Sequence, residues 1–229
     1  MRLRIAIDGP AGAGKSTVSS RVAAALGLPK LDTGAIYRTL ALAAKRAGIS
    51  WDDADALAGL ARTLPLRFAG NAAGAPLQVY LADEEVTSAI RTPEMSQGSS
   101  LVSRHPPVRA ALLPVQRRLA ADGVVAEGRD IGSVVLPDAE VKIFLTASPL
   151  ERARRRQAEM RTQGVERTVE DVLVEQNARD ERDTTRATAP LRAADDATIV
   201  DTDRLTLEQV VARILEVVAE RFDTHSGTM

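Results

Sequence analysis

Gly9, Gly14, Lys15 and Ser16 fall at the spacing G-x-x-x-x-G-K-[ST], directly after the apolar run LRIAID and directly before the alanine-rich stretch from Thr17 to Leu26. Strand, glycine loop and helix in that order make a cradle for polyphosphate. Glycines let successive backbone N–H groups turn inward, and the helix amino terminus adds partial positive charge. Lys15 is placed to reach the outer phosphates, and the Ser16 hydroxyl is an oxygen ligand for magnesium carried on them. Asp8, the last residue before the loop, is placed to orient it or to hold a metal-bound water.

A phosphate loop alone does not say what is done with the phosphates. The D-x-x-G and N-K-x-D segments of a GTPase are both missing from the sequence. A small-molecule phosphotransferase fits the length of 229 residues, and it must hold a second anion in line with the transferred group and neutralise the charge spreading over it. Guanidinium forks suit that work better than ammonium point charges. Arg38 follows the loop module, Arg129 lies in EGRD, and Arg179, Arg182 and Arg186 lie together in ARDERDTTR. Arg179 and Arg182 are equally able to pair with Asp180, Glu181 or Asp183 on a solvated helix. EGRD is harder to explain that way, because a charged tetrapeptide between VVA and IGSVV is costly to bury without a task. In ERARRRQAEMR, Arg152, Arg155 and Arg156 recur at helical spacing, presenting either a basic face to ATP phosphates or an ordinary charged surface.

The elements that must position these residues are legible in outline. LRIAID over 3–8, VVAEGRD, VKIFLTA and ATIVDT are strand candidates. Helices are expected over Thr17–Leu26, from Asp32 or Thr33 to near Gly48, over 52–62, and from near Thr92 through VRAALLPVQRRLAAD, with Pro114 kinking or interrupting the last. Further helices are expected from Pro149 to about Arg182, with a break at Gly164 and a new start near Thr168, and over LTLEQVVARILEVVAERF. LPLRFAG and PLQVYLADEEV, separated by the turn-rich NAAGA, read as an antiparallel insert. Strands alternating with helices argue for one parallel α/β core carrying that insert, with a loose tail over 224–229.

Composition narrows the function classes. With 30 basic and 31 acidic side chains the formal charge is −1, so any basic site is local and no whole-protein field steers the chain to nucleic acid or a membrane. The absence of cysteine removes disulfides, thiolate catalysis and cysteine-ligated zinc, and His105 and His225 are too few for a metal cage. His105 reads as solvated or locally bonded. The amino terminus lacks the apolar core of a signal peptide, and no apolar run approaches membrane-spanning length, so a soluble cytoplasmic protein is the expectation. No association signature is present, which makes a monomer the expectation.

Taken in order, Gly9 to Ser16, LDTGAIYR, EGRDIGSVVLPDA, VKIFLTAS, RARRR and RDERDTTRATAPL resemble the bacterial cytidylate kinases, from about residue 4 to about residue 220. The resemblance implies an α/β P-loop NTPase fold, with a parallel sheet wrapped by helices, an antiparallel NMP-binding insert over about 63–105 and a short lid over about 150–168, in one domain spanning 1–223. It implies transfer of the γ-phosphoryl group of ATP to CMP or dCMP, with magnesium. Gly9, Pro10, Ala11, Gly12, Ala13, Gly14, Lys15, Ser16 and Thr17 are then the ATP loop, and Arg152, Arg155 and Arg156 the lid arginines approaching ATP. Arg38, Arg129 and Arg186 are similar to the clamp on the acceptor phosphate. Ser100, Arg109 and Asp130 are similar to the residues that read cytosine, and Arg179 and Asp183 to the ribose contacts. Thr33 stands where many members have serine, and Glu127 where some have aspartate. Ser100 is aligned only by its distance from Arg109. The same core serves other acceptors, such as UMP, AMP or shikimate, and a module that senses ATP without turnover is the alternative outside enzymology.

Overall fold

The computed structural model describes residues 3–70, 77–162 and 164–226. Its elements run β1 (Arg4–Asp8), α1 (Lys15–Leu26), β2 (Lys30–Asp32), α2 (Thr33–Arg46), α3 (Ala54–Arg62), β3 (Leu66–Ala69), β4 (Gln78–Leu81) and β5 (Glu84–Glu85). They continue with α4 (Pro93–Val102), α5 (Pro106–Leu119), β6 (Val124–Glu127), β7 (Val141–Thr146), α6 (Pro149–Thr162), α7 (Val169–Thr185), β8 (Thr198–Asp201) and α8 (Leu207–Ser226).

β1, β2, β6, β7 and β8 form one sheet in the order β2-β6-β1-β7-β8, with every pairing parallel. Side chains alternate between its faces. Ile5, Ile7, Val125, Ile143 and Leu145 pack with Val18 and Val22 of α1 and with Val210 and Ile214 of α8. Ala6, Val124 and Ala126 face the other core, where Ile36 and Leu40 of α2 meet Leu57, Met95, Val108 and Leu112. Helices on both faces bury the strands, as a parallel sheet requires. β3, β4 and β5 form a separate antiparallel sheet, with Leu66 opposite Leu81 and Tyr80 opposite Glu85. The turn expected over residues 71–75 lies outside the described residues.

Local chemistry sets the helix starts. Asp32 accepts from the Ala35 amide at 3.0 Å, Asp53 from Ala56 at 3.0 Å, Thr92 from Met95 at 3.2 Å and Thr168 from Asp171 at 3.1 Å. Four features differ from the sequence reading. β2 is a strand of only three residues, too short to show a pattern. Between β6 and β7 the chain makes one wide helical turn, Ile131–Val135, in which the Val135 amide donates to Asp130 and the Leu136 amide to Ile131. Pro114 does not interrupt α5, because buried Val108, Leu112 and Gln116 anchor the helix on both sides of it. α8 continues to Ser226, past the expected helix end at Phe222.

α2 and α4 approach closely at Gly98. A Cβ there would meet the Trp51 ring at 2.7 Å and the Ala41 Cβ at 3.0 Å, and the Trp51 indole is fixed by donating to the Ala41 carbonyl at 3.0 Å. Gly98→Ala is expected to lower unfolding free energy by about 1–3 kcal/mol through overpacking. A denaturation midpoint equal to that of the unchanged protein would contradict this packing.

Candidate active site

The phosphate loop is built by strain that glycine relieves. Gly9 has φ 146° and its backbone lies against β7, where an added Cβ would come 2.1 Å from the Leu145 carbonyl oxygen. Gly12, at φ 77°, leaves room for Gln176 and the Arg152 backbone. Gly14 precedes α1 in the left-handed conformation and provides no side-chain cap, so the first amides of α1 keep their donors for an anion. Lys15 is buried and its Nζ donates to the carbonyls of Gly9 at 2.7 Å and Pro10 at 2.6 Å. Burial, and then the nearby Arg129 charge, push its ammonium well below its ordinary range.

A cavity of about 660 Å³ opens at the carboxyl ends of the sheet strands. Ala11, Gly12, Gly14, Lys15, Ser16 and Thr17 line it on the loop side, while Thr33, Arg38, Arg109, Arg129, Asp130, Arg179, Asp183 and Arg186 line it opposite. Gly9, Pro10 and Ala13 shape the loop from outside the cavity, the first two as the carbonyl partners of Lys15.

The arginines are held by carboxylates. Arg38 donates to Asp32 at 2.6 Å, Arg129 to Asp183 at 3.1 Å, and Arg109 to Asp130. Arg186, with a side chain only 4% exposed, sits 3.7 Å from Asp130 and 3.8 Å from Asp183. Arg179 donates to the Ser96 hydroxyl at 2.9 Å. Burial, then Arg129, bring its guanidinium down to about 10. Burial alone would raise the Asp183 carboxyl; Arg129, Arg179 and Arg186 outweigh it and hold the group below its usual value. Asp32 is likewise held down by Arg38 and Lys30 against its burial. Arg38 Nε, Arg179 Nε and Arg186 Nη2 are buried donors without a hydrogen-bond partner among the described residues. Their isolation costs free energy, which side-chain rearrangement around a bound anion would relieve.

Three expectations are corrected by position. Ser100 is buried outside the cavity and accepts from Arg182 at 3.3 Å, while Ser96, Ser99 and Ser103 of the same segment line it. One face of a helical turn cannot be chosen by distance in sequence alone. Arg152 points into the protein, donating to Ala11 at 2.9 Å and Ala147 at 3.1 Å and pairing with Asp180, so it braces the loop backbone and does not line the cavity. Arg155 and Arg156 do line it, the first bonded to Thr202 at 2.8 Å and the second paired with Glu159 at 2.7 Å. Asp8 is no seat for a metal-bound water: its two oxygens accept from the Ile131 and Gly132 amides, each at 2.8 Å, which ties the end of β1 to the turn after β6. His105 is locally bonded, its Nε2 lying 2.9 Å from the Trp51 carbonyl.

Sequence reasoning missed Lys30, whose Nζ lies 2.9 Å from Ser16 Oγ and 2.8 Å from Glu127. The only signal was a lysine two residues ahead of the helix-capping aspartate. Thr33 donates to the Glu127 carbonyl at 2.8 Å, tying the start of α2 to the end of β6. Ser16, Asp32 and Glu127 are oxygen donors on the cavity wall, and among the described residues no group of three or more His, Cys, Asp and Glu side chains could cage a metal. Such a donor set fits a hard cation that brings its other ligands as phosphate and water. Among the described residues no helix is long and apolar enough to cross a membrane.

A phosphate loop following the first strand of a parallel sheet, facing an arginine-lined cavity, defines the P-loop phosphotransferase class. The family described as "Cytidylate kinase" matches residues 5–220. The chain belongs to the cytidylate kinase family. It is 48% identical over 221 residues to the cytidylate kinase of Syntrophotalea carbinolica, covering 96% of this chain and 93% of that protein. It is 47% identical over 213 residues to that of Cupriavidus necator, covering 93% of each chain. Among solved structures, an uncharacterized protein from Eubacterium ventriosum shares the fold, with a TM-score of 0.54 and 13% identity over 96% of this chain and 99% of that one.

Asp8 gives the site a pH signature. Burial raises its carboxyl to about 6, the two amide bonds and Lys15 pulling it down and Asp130 pushing it up. A native-state value above the unfolded one means the folded protein binds this proton more tightly, so the stabilisation is present at low pH and lost as pH rises through about 6. Asp8→Asn cannot titrate. Stability of the unchanged protein relative to Asp8→Asn is therefore expected to rise as pH falls from 7 to 4 in denaturant titrations, and a flat or opposite difference would contradict it.

Proposed function

We propose that the protein transfers the γ-phosphoryl group of ATP to CMP or dCMP, giving ADP and CDP or dCDP, in pyrimidine nucleotide metabolism. The observation that carries this reading is that Arg38, Arg129, Arg179 and Arg186 line one cavity together with Lys15, Gly12 and Gly14 of the phosphate loop. An ATP sensor would need the loop and no second anion clamp.

In this reading the loop amides and Lys15 hold the ATP phosphates, Lys15 exchanging the Gly9 and Pro10 carbonyls for phosphate oxygens. Arg38, Arg129 and Arg186 hold the acceptor phosphate, and Arg179 and Asp183 the ribose. Asp130 accepts from the exocyclic amine of cytosine and Arg109 donates to its ring acceptors, the pairing a carboxylate and a guanidinium allow. Magnesium bound by Ser16 together with ATP would neutralise phosphate charge. An oxygen of the acceptor phosphate is already an anionic nucleophile, so no general base is needed. As it bonds to Pγ, the bond from Pγ to the ADP oxygen breaks. Positioning and electrostatics supply the acceleration.

The same proposal includes an acceptor-binding insert over about 63–105 and a lid over about 150–168 within a single domain, closing to exclude water that would otherwise take the phosphoryl group. A cytoplasmic monomer without nucleic-acid or membrane partners completes it, consistent with the near-zero formal charge.

The deciding assay is ADP formation from magnesium ATP with CMP, dCMP, UMP, AMP and GMP tested separately beside a reaction without acceptor. Preference for CMP and dCMP is expected. Activity with only another acceptor would discard the cytosine roles of Arg109 and Asp130. Arg129→Ala is expected to lower turnover with CMP on the order of 10²–10³-fold, as loss of one transition-state donor does; near-normal turnover would remove Arg129 from the clamp.

A further inference from the structure

Lys30 stands beside two cavity-lining residues, Ser16 and Glu127. Its Nζ is 2.9 Å from Ser16 Oγ, 2.8 Å from the Ser16 carbonyl, 3.0 Å from Ser20 Oγ and 2.8 Å from Glu127 Oε1. Its side chain is only 14% exposed, and that of Glu127 7%. Lys30 is the first residue of β2, and pairing of β2 with β6 sets Lys30 against Val125 and Asp32 against Glu127, so the ammonium is delivered by the sheet register and not by a free loop.

We propose that Lys30 is a tethered cation that stands in for magnesium at Ser16, supporting nucleotide phosphates when the metal is scarce and opposing the metal when it binds. The proposal rests on the reading of the phosphate loop as the ATP site. Magnesium–oxygen bonds are about 2.0–2.1 Å, so a metal on Ser16 Oγ would lie within about 5 Å of this ammonium. That is well inside the distance over which salt screens, so the two cations repel. Lys30 already has the Glu127 carboxylate to retreat to, which keeps the displaced charge paired. A lysine that merely tied β2 to α1 would change the fold's stability and leave the coupling between metal and nucleotide alone.

Coupling is therefore the quantity to measure, because it is a ratio of affinities and independent of turnover. ADP binding is measured by calorimetry for the unchanged protein, Lys30→Met and Lys30→Gln, each with saturating magnesium and with EDTA. The ratio of the ADP dissociation constant in EDTA to that in magnesium is expected to rise at least fivefold in both variants, through weaker binding without metal, tighter binding with it, or both. A ratio equal to or below that of the unchanged protein in folded variants would overturn the role of Lys30. Failure of the unchanged protein to bind ADP at all would instead overturn the donor-site reading, and the role of Lys30 with it.

Discussion

Arg38, Arg109, Arg129, Arg179 and Arg186 share one cavity, and two like charges 4 Å apart repel by about 4 kcal/mol in a partly buried setting. The site exists only because carboxylates are interleaved among them. Asp32, Asp130 and Asp183 each contact one or two of the guanidinium groups. Each also stands at the end of an element: Asp32 caps α2, Asp130 opens the wide turn after β6, and Asp183 lies in the last turn of α7. Charge balance in the cavity thus fixes where several elements start and stop. Arg38, Arg109 and Arg129 each donate to their aspartate through one nitrogen, so the pairing tempers the repulsion and still leaves a basic cavity wall to receive a phosphate.

Asp8 joins the two halves of this arrangement. It is the last residue of β1 and immediately precedes the loop, yet both its oxygens bind amides that immediately follow Arg129 and Asp130. A carboxylate on one strand therefore caps a turn on a segment more than a hundred residues away, and the loop cannot shift without moving the arginine that faces it. Burial makes this costly for the carboxylate, and the two short amide bonds are what keep it in place.

Much of this could be read from the chain. The glycine loop is legible because its backbone demands are met by residue type at fixed spacing. Arg38, Arg129 and Arg186 are legible through their neighbours, and Arg109, Asp130, Arg179, Asp183 and Thr33 all reach the cavity. What failed depends on direction. Ser100 and Ser99 are adjacent in sequence but a third of a turn apart on α4, and only one of them faces the cavity. Arg152 and Arg156 share a helical face by spacing, yet Arg152, in the first turn of α6, lies beside the loop and reaches the Ala11 carbonyl, while Arg156, a turn further along, lines the cavity and pairs with Glu159. Lys30 was invisible because a strand of three residues has no periodicity, and its partners lie on α1 and β6.

Packing also separates what is fixed from what is free to move. Two large cores cover the two faces of the sheet, whereas α6 and α7 share only a small one, Ala153, Met160 and Val172 with Val165, Val169 and Leu173 at its edge. Few buried apolar contacts mean a low free energy of local opening. Arg152 ties the first turn of α6 to the phosphate loop through Ala11, so the beginning of the helix moves with the donor site. Beyond that turn Arg155 donates to Thr202 at 2.8 Å and Gln157 to the Arg167 carbonyl at 3.2 Å, so the far half of α6 rests on that small core and a few polar contacts, and local opening costs least there.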